Sequence, residues 1–492
     1  MELKDFRPGN FPSHKRLTRR EFIKLGVGLT LSGAIAGVSA CAPKATPTAS
    51  PPPTPTPAAK PPAATPTPKW KSPFPITDKP ATLTCDMFLG GYGDEFWKLV
   101  AARLREHYPN LTVEFNADPR IWEVLQPKFA TGNVPSFAYP GWQADVWRLV
   151  VEGQVLPLDE LAEAPAYGQE DKKFKDTWVP RIRKGYTSYK GKWYLLPLSE
   201  ISFVFWYNRA LFEKHGWKPP TMWDEFLDLC KEIKAAGIAP LALNGLTSTY
   251  LESGIFQQLC YKLGGQEFVR DADNLVPGVW KRPEVAEAIR MIQELFDKGY
   301  FQEGCWGMDH VSSQMEWLRG NAAIISVGSW LENEMRDHIP EGFVFDAFPV
   351  PGVKGGKGDP SAILNWAAEY QLIPAKSKHP YEAMEYYRIF FSLEFAKKFA
   401  EVAHDAMPII GGYEGAKFSS GLEAVLRLRR EAKETFDFYL TFWYPAISLE
   451  SPKVLAQAVK REITIEEYGN QMEALVAKVR DDPAVPKFER PE

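Results

Sequence analysis

The spacing of apolar residues over 191–243 predicts two strands, a helix and a further strand. Aromatic and β-branched side chains are concentrated at 193–196 and 201–207, and Pro197 between them favours two short strands. Downstream, four apolar side chains recur at intervals of three and four, and they are Trp223, Phe226, Cys230 and Ile233. That period places them on one buried face of a helix.

Polar and small residues mark the two ends of this predicted helix. Thr221, with Asp224 three residues later, matches a capping box at the amino end. Gly237 stands where a left-handed residue is expected to close the helix, and 240–243 follows as a strand. Any α/β protein could contain such a unit, so the periodicity by itself predicts a fold class and no function.

The same alternation of strands and helices fills residues 81–152. The predicted strands are 81–88, 111–115 and 136–139, and the predicted helices are 94–107, 121–130 and 144–152. Further helices are predicted at 285–296 and 311–318, and a strand at 322–327. This rhythm is typical of an α/β fold with a mainly parallel sheet. Ligands of such sheets bind at the carboxyl ends of the strands, where loops 89–93 and 139–143 follow.

Several short motifs carry a resemblance that periodicity cannot supply. In chain order they are GQVLPLD at 153–159, GKWYLLP at 191–197, FWYNR at 205–209, TMWDEF at 221–226 and GSW at 328–330. Together they resemble the family 1 extracellular solute-binding proteins, the carbohydrate receptors of bacterial ABC importers related to the maltose-binding protein. The resemblance covers about residues 80–485. One position departs from it, because Ser136 follows Pro135 where the family usually has aspartate.

The resemblance implies an α/β, two-lobed periplasmic-binding-protein fold with a hinge of three chain crossings. The crossings are expected near 199–207, 322–329 and 369–375. The expected N-lobe contains 76–200 and 328–371, and the expected C-lobe contains 207–322 and 375–492. The length agrees with two lobes, since the folded part of about 415 residues exceeds what one hydrophobic core usually supports.

The candidate ligand contacts are aromatic and polar residues that lie outside the periodic faces. Sugar recognition requires flat aromatic faces for C–H surfaces and planar polar groups for hydroxyls. The aromatic candidates are Tyr92, Trp142, Tyr250, Trp330, Trp366 and, by its position in the resemblance to maltose-binding relatives, Trp443. The polar candidates are Gln143, Glu200, Asn244, Glu332, Asn365 and Glu369. For each of them, core packing or ordinary solvent exposure is the alternative.

The first 41 residues have the pattern of an export signal. Residues 18–24 resemble a twin-arginine motif, an apolar stretch of small residues follows, and 38–41 resemble a lipoprotein box. The resemblance implies lipidation at Cys41 and an extracytoplasmic protein held on the outer face of the cytoplasmic membrane. An uncleaved membrane anchor is the alternative, and it also leaves the folded part outside the membrane.

Residues 42–75 are predicted to form a disordered tether. Fourteen of the 42 prolines lie between Pro43 and Pro80, mixed with alanine and threonine. Such a tract has little to bury and favours extended polyproline II structure at about 3.1 Å per residue. About 30 residues would therefore reach up to ~90 Å from the membrane.

The net charge argues against some classes of binding partner, and the cysteine content bears on whether disulfides form. A net charge of −4, with acids and bases intermixed, argues against nucleic acid or an anionic membrane surface as partner. Beyond Cys41, the cysteines are Cys85, Cys230, Cys260 and Cys305. Twin-arginine substrates fold before export, in a reducing cytoplasm, which favours four free thiols over two disulfides.

The pattern as a whole favours a monomeric receptor over an enzyme. By resemblance its partners are a carbohydrate and the permease subunits of an ABC transporter. Segments 214–217 and 230–234 are most similar to receptors for N-acetylglucosamine and chitobiose. No catalytic residue, cofactor or metal site is predicted, because the seven histidines are scattered and no nucleophile elbow or Walker loop occurs.

The sequence is also compatible with two other classes of protein, a glycoside hydrolase and a surface adhesin. A membrane-anchored glycoside hydrolase would need only a pair of carboxylates about 5–9.5 Å apart, and such acids form no sequence motif. A surface adhesin would share the anchor and the tether, although the expected two-lobe pattern disfavours it.

Overall fold

The structure is a computed structural model that describes residues 71–490. The expected export signal, the lipidation site at Cys41 and residues 42–70 of the expected tether lie outside this described part. Among residues 71–490, no helix is both long and apolar enough to cross a bilayer.

Strands form two main sheets and two short hairpins. In chain order they are β1 (Ala81–Phe88), β2 (Leu111–Asp118), β3 (Phe137–Tyr139), β4 (Pro165–Ala166), β5 (Gln169–Lys173), β6 (Ser188–Tyr189), β7 (Lys192–Trp193), β8 (Leu196–Asn208), β9 (Ala239–Ala242), β10 (Ala322–Gly328), β11 (Phe345–Phe348), β12 (Ile363–Gln371) and β13 (Thr435–Phe436). The first sheet is parallel with the order β2-β1-β3. The second has the order β13-β12-β8-β10-β9, and β11 also pairs with β8. In it β8 runs antiparallel to β10, β11 and β12.

Helices surround both sheets. In chain order they are α1 (Glu95–His107), α2 (Ile121–Thr131), α3 (Val146–Val151), α4 (Asp159–Glu163), α5 (Pro180–Gly185), α6 (Arg209–His215), α7 (Trp223–Ala235), α8 (Thr249–Leu251), α9 (Gln257–Asp273), α10 (Pro283–Asp297), α11 (His310–Leu318), α12 (Leu331–Glu334), α13 (Pro380–Phe390), α14 (Leu393–Val402), α15 (Ser420–Glu431), α16 (Leu440–Trp443), α17 (Pro445–Ser448), α18 (Ser451–Val459) and α19 (Ile465–Asp481). A π-helical turn, Glu252–Phe256, joins α8 to α9, and α9 bends at Gly265, where φ is 68°.

The parallel sheet is the core of the N-lobe, and aromatic residues attach α13 and α14 to it. Phe96 of α1 meets Phe390 edge to face at 4.9 Å, and Phe137 of β3 stacks on Tyr386 at 4.5 Å. The Tyr386 hydroxyl donates to the backbone oxygen of Trp97 at 2.9 Å. Residues 380–402 therefore belong with the N-lobe, which corrects their expected place in the C-lobe.

The second sheet is the core of the C-lobe, and it includes β11. This strand pairs with β8 over Phe345–Phe348 and is covered by α15. The segment 328–371, expected in the N-lobe, therefore lies largely in the C-lobe sheet. The helices α18 and α19 pack against α10 on the same side of the molecule.

The chain passes between the two sheets at β8, at β12 and at 403–419. Leu372, which follows β12, exchanges two backbone hydrogen bonds with Ala138 of the first sheet, at 2.9 and 3.0 Å. After α14, Ala406 accepts from the backbone of Glu200, and the chain then enters α15. The strand β10 itself stays in the second sheet, paired with β8 on one side and β9 on the other. Just after it, Asn333 donates to the backbone oxygen of Gly91 in the loop after β1.

The predicted pair of short strands around Pro197 is wrong, because β8 runs unbroken over 13 residues. Pro197 is the second residue of this strand and lies opposite Tyr370. Near the start of a strand, a missing N–H disturbs the hydrogen-bond ladder least.

The predicted helix after Thr221 is confirmed, with a different capping residue. Glu225, not Asp224, accepts from the backbone N–H groups of Thr221 at 2.8 Å and Met222 at 3.1 Å. The expected apolar face is buried, and Gly237 takes the left-handed conformation with φ 80°.

The folded part begins earlier than the expected end of the tether. Phe74 is buried and stacks on Tyr381 at 6.3 Å. The Ser72 hydroxyl donates to Glu385 at 2.8 Å. Residues 71–75 are thus part of the N-lobe surface, since they bury apolar area that a tether would leave exposed.

Candidate functional site

Phe203 lies at the centre of an aromatic wall where β8 passes between the lobes. Its ring is buried and stacks on Trp366 of β12, with centroids 5.3 Å and planes 16° apart. Trp330, which follows β10, meets Phe203 edge to face at 5.4 Å. Tyr250 closes the group at 5.9 Å from Phe203. Antiparallel pairing of β8 with both β10 and β12 brings these side chains together, although 203 and 366 are far apart in sequence.

One ring of the wall is buried and supports the others, which are half-buried. Phe203 is 4% exposed, whereas Trp330, Trp366 and Tyr250 are each partly exposed. Phe442 continues the wall beyond Trp366 at 5.7 Å. The half-buried rings are therefore the members that a ligand could touch, while Phe203 holds them in place.

A row of planar polar groups runs beside the wall. Ser202 donates through Oγ to Asn365 Oδ1 at 2.9 Å, and Asn365 donates through Nδ2 to Glu200 Oε2 at 3.1 Å. Ser202 and Asn365 are buried, and the side chain of Glu200 is 14% exposed. Glu200 is thus the end of the row that faces the lobe boundary, and the other two orient it.

Arg181 joins this row to a second carboxylate. Its guanidinium lies 3.7 Å from Glu200 and 3.1 Å from Asp437, which also accepts from the Tyr186 hydroxyl. Burial acts to lower the pKa of Arg181, but Tyr186, Glu200 and Asp437 together raise it above its ordinary value. The cation therefore stays charged and ties N-lobe helix α5 to the C-lobe segment that carries Asp437.

Tyr92 takes part in a buried junction of five chain segments. Its hydroxyl donates to Asp405 Oδ2 at 2.5 Å and lies 3.0 Å from the Ser199 hydroxyl. Ser329 donates to the same carboxylate oxygen at 3.1 Å, and Arg429 approaches Asp405 to 4.0 Å. Burial raises the pKa of both Tyr92 and Asp405. With its hydroxyl engaged in this way, Tyr92 connects the loop after β1 to the crossing segments.

Glu369 occupies a strained position on crossing strand β12. Its φ is 62°, a left-handed conformation that is uncommon for a residue other than glycine. The carboxyl group accepts from the Tyr139 hydroxyl, and burial raises its pKa to about 7. This polar candidate is therefore part of the connection between β3 and β12.

The other predicted contacts lie apart from the wall or are already engaged. Trp142 and Gln143 follow β3 and are exposed, Trp142 to 64%. Asn244 is buried; its Oδ1 accepts from Thr247, and its Nδ2 has no partner among residues 71–490. Glu332 is buried and accepts from the backbone of Gly421 at 2.9 Å.

Two other aromatic rings stack on Trp443. Tyr439 stacks on it at 4.9 Å with planes 20° apart, and Phe488 at 5.3 Å with planes 18° apart. The indole is 8% exposed. The ring that was expected to stack on sugar is thus largely packed against the protein's own chain.

A cavity of about 240 Å³ lies at the other end of β8 and does not touch the wall. Its lining includes Asn208, Trp317, Arg319 and Phe343. The Asn208 side chain is already used, because its Oδ1 accepts from the backbone of Ala210 and Val344. Volume alone therefore does not make this cavity the better candidate, since it lacks convergent free polar groups.

Members of the site that were not among the predicted contacts include Phe203, Ser202, Arg181 and Arg429. Phe203 and Ser202 lie within an apolar strand that periodicity treats as core. Arg181 and Arg429 are helical residues whose carboxylate partners are distant in sequence. A charge paired only through tertiary contacts leaves no local signal.

The arrangement places hydrogen-bonding groups beside aromatic faces. The carboxylates near the wall accept hydrogen bonds from arginine, amide or hydroxyl donors, as described for Glu200, Asp405 and Asp437. Within residues 71–490, no group of three or more histidine, cysteine or acidic side chains could hold a metal ion. Partly exposed rings beside planar hydrogen-bonding groups match a ligand that has both apolar faces and hydroxyl or amide groups.

Comparison with known proteins identifies the class. A family model described as bacterial extracellular solute-binding protein matches residues 90–401, and the chain belongs to this family. The chain is 28% identical over 323 residues to the diacetylchitobiose binding protein NgcE of Streptomyces coelicolor, covering 65% of this chain and 68% of that protein. It is 25% identical over 299 residues to the uncharacterized ABC transporter extracellular-binding protein PH1039 of Pyrococcus horikoshii, covering 59% and 64%. About a third of each relative thus lies outside the match.

A solved structure supports the fold on a larger part of the chain. The protein superposes on a chitin oligosaccharide binding protein with a TM-score of 0.68 at 20% identity. The match covers 82% of this chain and 100% of that one. The fold is therefore the two-lobed α/β fold of solute-binding proteins.

Proposed function

We propose that this protein is a lipid-anchored extracytoplasmic receptor that binds a carbohydrate between its lobes and delivers it to an ABC permease. The observation that carries the proposal is the aromatic wall of Phe203, Trp330 and Trp366 beside the polar row from Ser202 to Glu200. Stacked rings suit the C–H faces of a sugar, and amide and carboxylate groups suit its hydroxyls.

The sugar class we propose is N-acetylglucosamine or its short oligomers. The resemblance in segments 214–217 and 230–234 supports it, and so does the similarity to a diacetylchitobiose binding protein. An N-acetyl group offers one planar donor and one planar acceptor. The partly exposed Glu200 could accept from the donor and Arg181 could donate to the acceptor.

The proposed mechanism is lobe closure without covalent chemistry. A sugar that contacts both lobes stabilises the closed arrangement, which the permease then recognises. Micromolar binding requires about −8 kcal/mol. Two or three stacked rings and a few hydrogen bonds can supply that free energy after ordering costs.

The test is a titration of intrinsic tryptophan fluorescence with N-acetylglucosamine, chitobiose, maltose, cellobiose and xylobiose, using full-length protein with Cys41→Ser to prevent lipidation. We expect a saturable change with N-acetylglucosamine or chitobiose, and chromatography that recovers the sugar intact. Hydrolysed sugar would favour the glycoside hydrolase instead. No response to any of the five sugars would contradict carbohydrate binding.

A further inference from the structure

The segment 485–490, which we call the strap, contacts both lobes at once. Phe488 stacks on Trp443 of the C-lobe at 5.3 Å and lies 6.0 Å from Tyr444. On its other side, Phe488 meets Trp147 of α3 at 5.7 Å and Tyr189 of β6 at 5.8 Å. Both α3 and β6 precede the first crossing and belong to the N-lobe.

Arg490 anchors the strap in the C-lobe. Its guanidinium lies 2.6 Å from Asp273 and 2.9 Å from Asp437, two carboxylates with side chains at most 3% exposed. The guanidinium also lies over the ring of Tyr439, 4.7 Å from the centroid. The backbone of Arg490 exchanges hydrogen bonds with the Asn274 amide at 2.7 and 3.3 Å. These contacts form a specific charge-assisted site on the C-lobe side alone.

The two halves of the strap therefore have different partners. Arg490 is held by the C-lobe, whereas Phe488 touches the C-lobe and two N-lobe rings. The Tyr444 hydroxyl accepts from the backbone of Phe488 at 3.0 Å, which fixes the ring relative to the C-lobe. If the lobes separated, the anchored end could stay in place, but Phe488 would lose Trp147 and Tyr189.

We propose that the strap is a conformational device that, in the absence of ligand, stabilises the lobe arrangement seen in this structure, in which Phe488 contacts both lobes. This inference rests on the proposed lobe closure and adds a contribution that the protein makes through its own chain. The strap shifts the equilibrium between lobe arrangements toward the one in which Phe488 contacts both lobes, so a ligand that binds this arrangement spends less of its binding free energy on bringing the lobes together. Trp443 serves as the platform for Phe488 and does not stack on sugar.

The test measures the distance between the lobes in ligand-free protein. Spin labels are placed on the full-length Cys41→Ser chain at Glu123→Cys of α2 and Glu213→Cys of α6, where the native side chains are 63% and 73% exposed. Pulsed dipolar spectroscopy then compares this protein with versions that also carry Phe488→Ala, Phe488→Leu or Phe115→Ala. Phe115 lies on edge strand β2, so its removal controls for loss of a phenylalanine ring elsewhere.

We expect Phe488→Ala to raise, at least about fivefold, the ratio of protein with more widely separated lobes to protein with the lobe spacing of this structure, because two aromatic contacts across the lobes are lost. Phe488→Leu should give a smaller increase, and Phe115→Ala none. Unchanged distances in both Phe488 variants would overturn the proposal. So would tighter sugar binding by Phe488→Ala, since that would make the strap a competitor of the sugar. Because the distances are measured without ligand, failure to bind any sugar would contradict the proposed function and leave this test intact.

Discussion

The ring of Phe203 lies almost parallel to the indole of Trp366, with centroids 5.3 Å apart and planes inclined by 16°. These residues belong to neighbouring antiparallel strands at the crossing between the lobes. Because Phe203 is buried and Trp366 is partly exposed, one face of the indole is held by the protein. The orientation of Trp366 is therefore fixed before a ligand arrives, which reduces the ordering cost of stacking.

Trp366→Ala and Trp330→Ala should each weaken sugar binding at least about tenfold, since each removes a stacking face. The measurement is a calorimetric titration with the sugar that gives a response, and circular dichroism verifies the fold. Trp142→Ala is the comparison, because Trp142 is also a tryptophan in a loop but is 64% exposed and outside the wall. Unchanged affinity in Trp330→Ala would remove that residue from the site.

Tyr92→Phe should lower the free energy of unfolding by about 1–3 kcal/mol, because the buried carboxylate of Asp405 loses a donor. Tyr468→Phe is the matched control: its hydroxyl is buried and has no hydrogen-bond partner among the described residues. Urea unfolding of both variants checks this. Equal stability of the two variants would mean that the junction at Asp405 contributes no net stability through Tyr92.

Glu369 should make the protein less stable as the pH rises from 4.5 to 7. Burial raises its pKa from 4.5 to about 7, so in this window the folded state keeps a proton that the unfolded state has released. The contribution lost is at most about 3 kcal/mol. Glu369→Gln has no carboxyl group to titrate, so it does not show this loss. The free energy of unfolding of the variant minus that of the native protein should therefore increase as the pH rises to 7 and stay constant above it.

Urea unfolding at pH 5, 6, 7 and 8 measures this difference. Glu163→Gln serves as the control, because hydrogen bonds from Lys173 and Lys175 lower the pKa of Glu163 to about 2. That group titrates below the range tested, so its variant should differ from the native protein by a constant amount. A constant difference for Glu369→Gln as well would show that its carboxyl group is not protonated in the folded state.

The thiols of the described part should be unreactive until the protein unfolds. Cys85, Cys230, Cys260 and Cys305 are free and buried. Burial raises the thiol pKa of all four, for Cys305 to about 11. In the Cys41→Ser protein, a thiol reagent should label no cysteine under native conditions and four in denaturant, and a reductant should leave the Tm unchanged. Rapid labelling of the native protein would contradict the burial.

The local spacing of apolar residues was sufficient to predict most of the helices and strands. It did not show to which lobe each of them belongs. The period of Trp223, Phe226, Cys230 and Ile233 predicted α7, and strand-like alternation predicted β1, because burial of one face is a local property. Whether β10 stays in one sheet or crosses to the other depends on pairing with β8 and β9, which are about 80–120 residues earlier.

In the candidate site too, some residues have a local signal in the sequence and others can be recognised only in the folded chain. Trp330 and Trp366 are predicted as candidate contacts because aromatic residues at loops and crossings stand out from periodic faces, and both rings contact Phe203 in the structure. Phe203 was missed, since an apolar residue in an apolar strand has no distinguishing neighbour in sequence. The strap was missed too, because the partners of Arg490 are carboxylates at 273 and 437, and only the folded chain brings these two positions together.

The burial of the four thiols also has a practical consequence for converting the protein into a sensor. Labelling chemistry usually begins with deletion of native cysteines, which often costs stability in the core. Here a single cysteine introduced at Trp142, on the exposed loop after β3, would be the accessible thiol of the described part. An environment-sensitive dye could be attached there with the native core left unaltered, since the four native thiols stay buried and unlabelled.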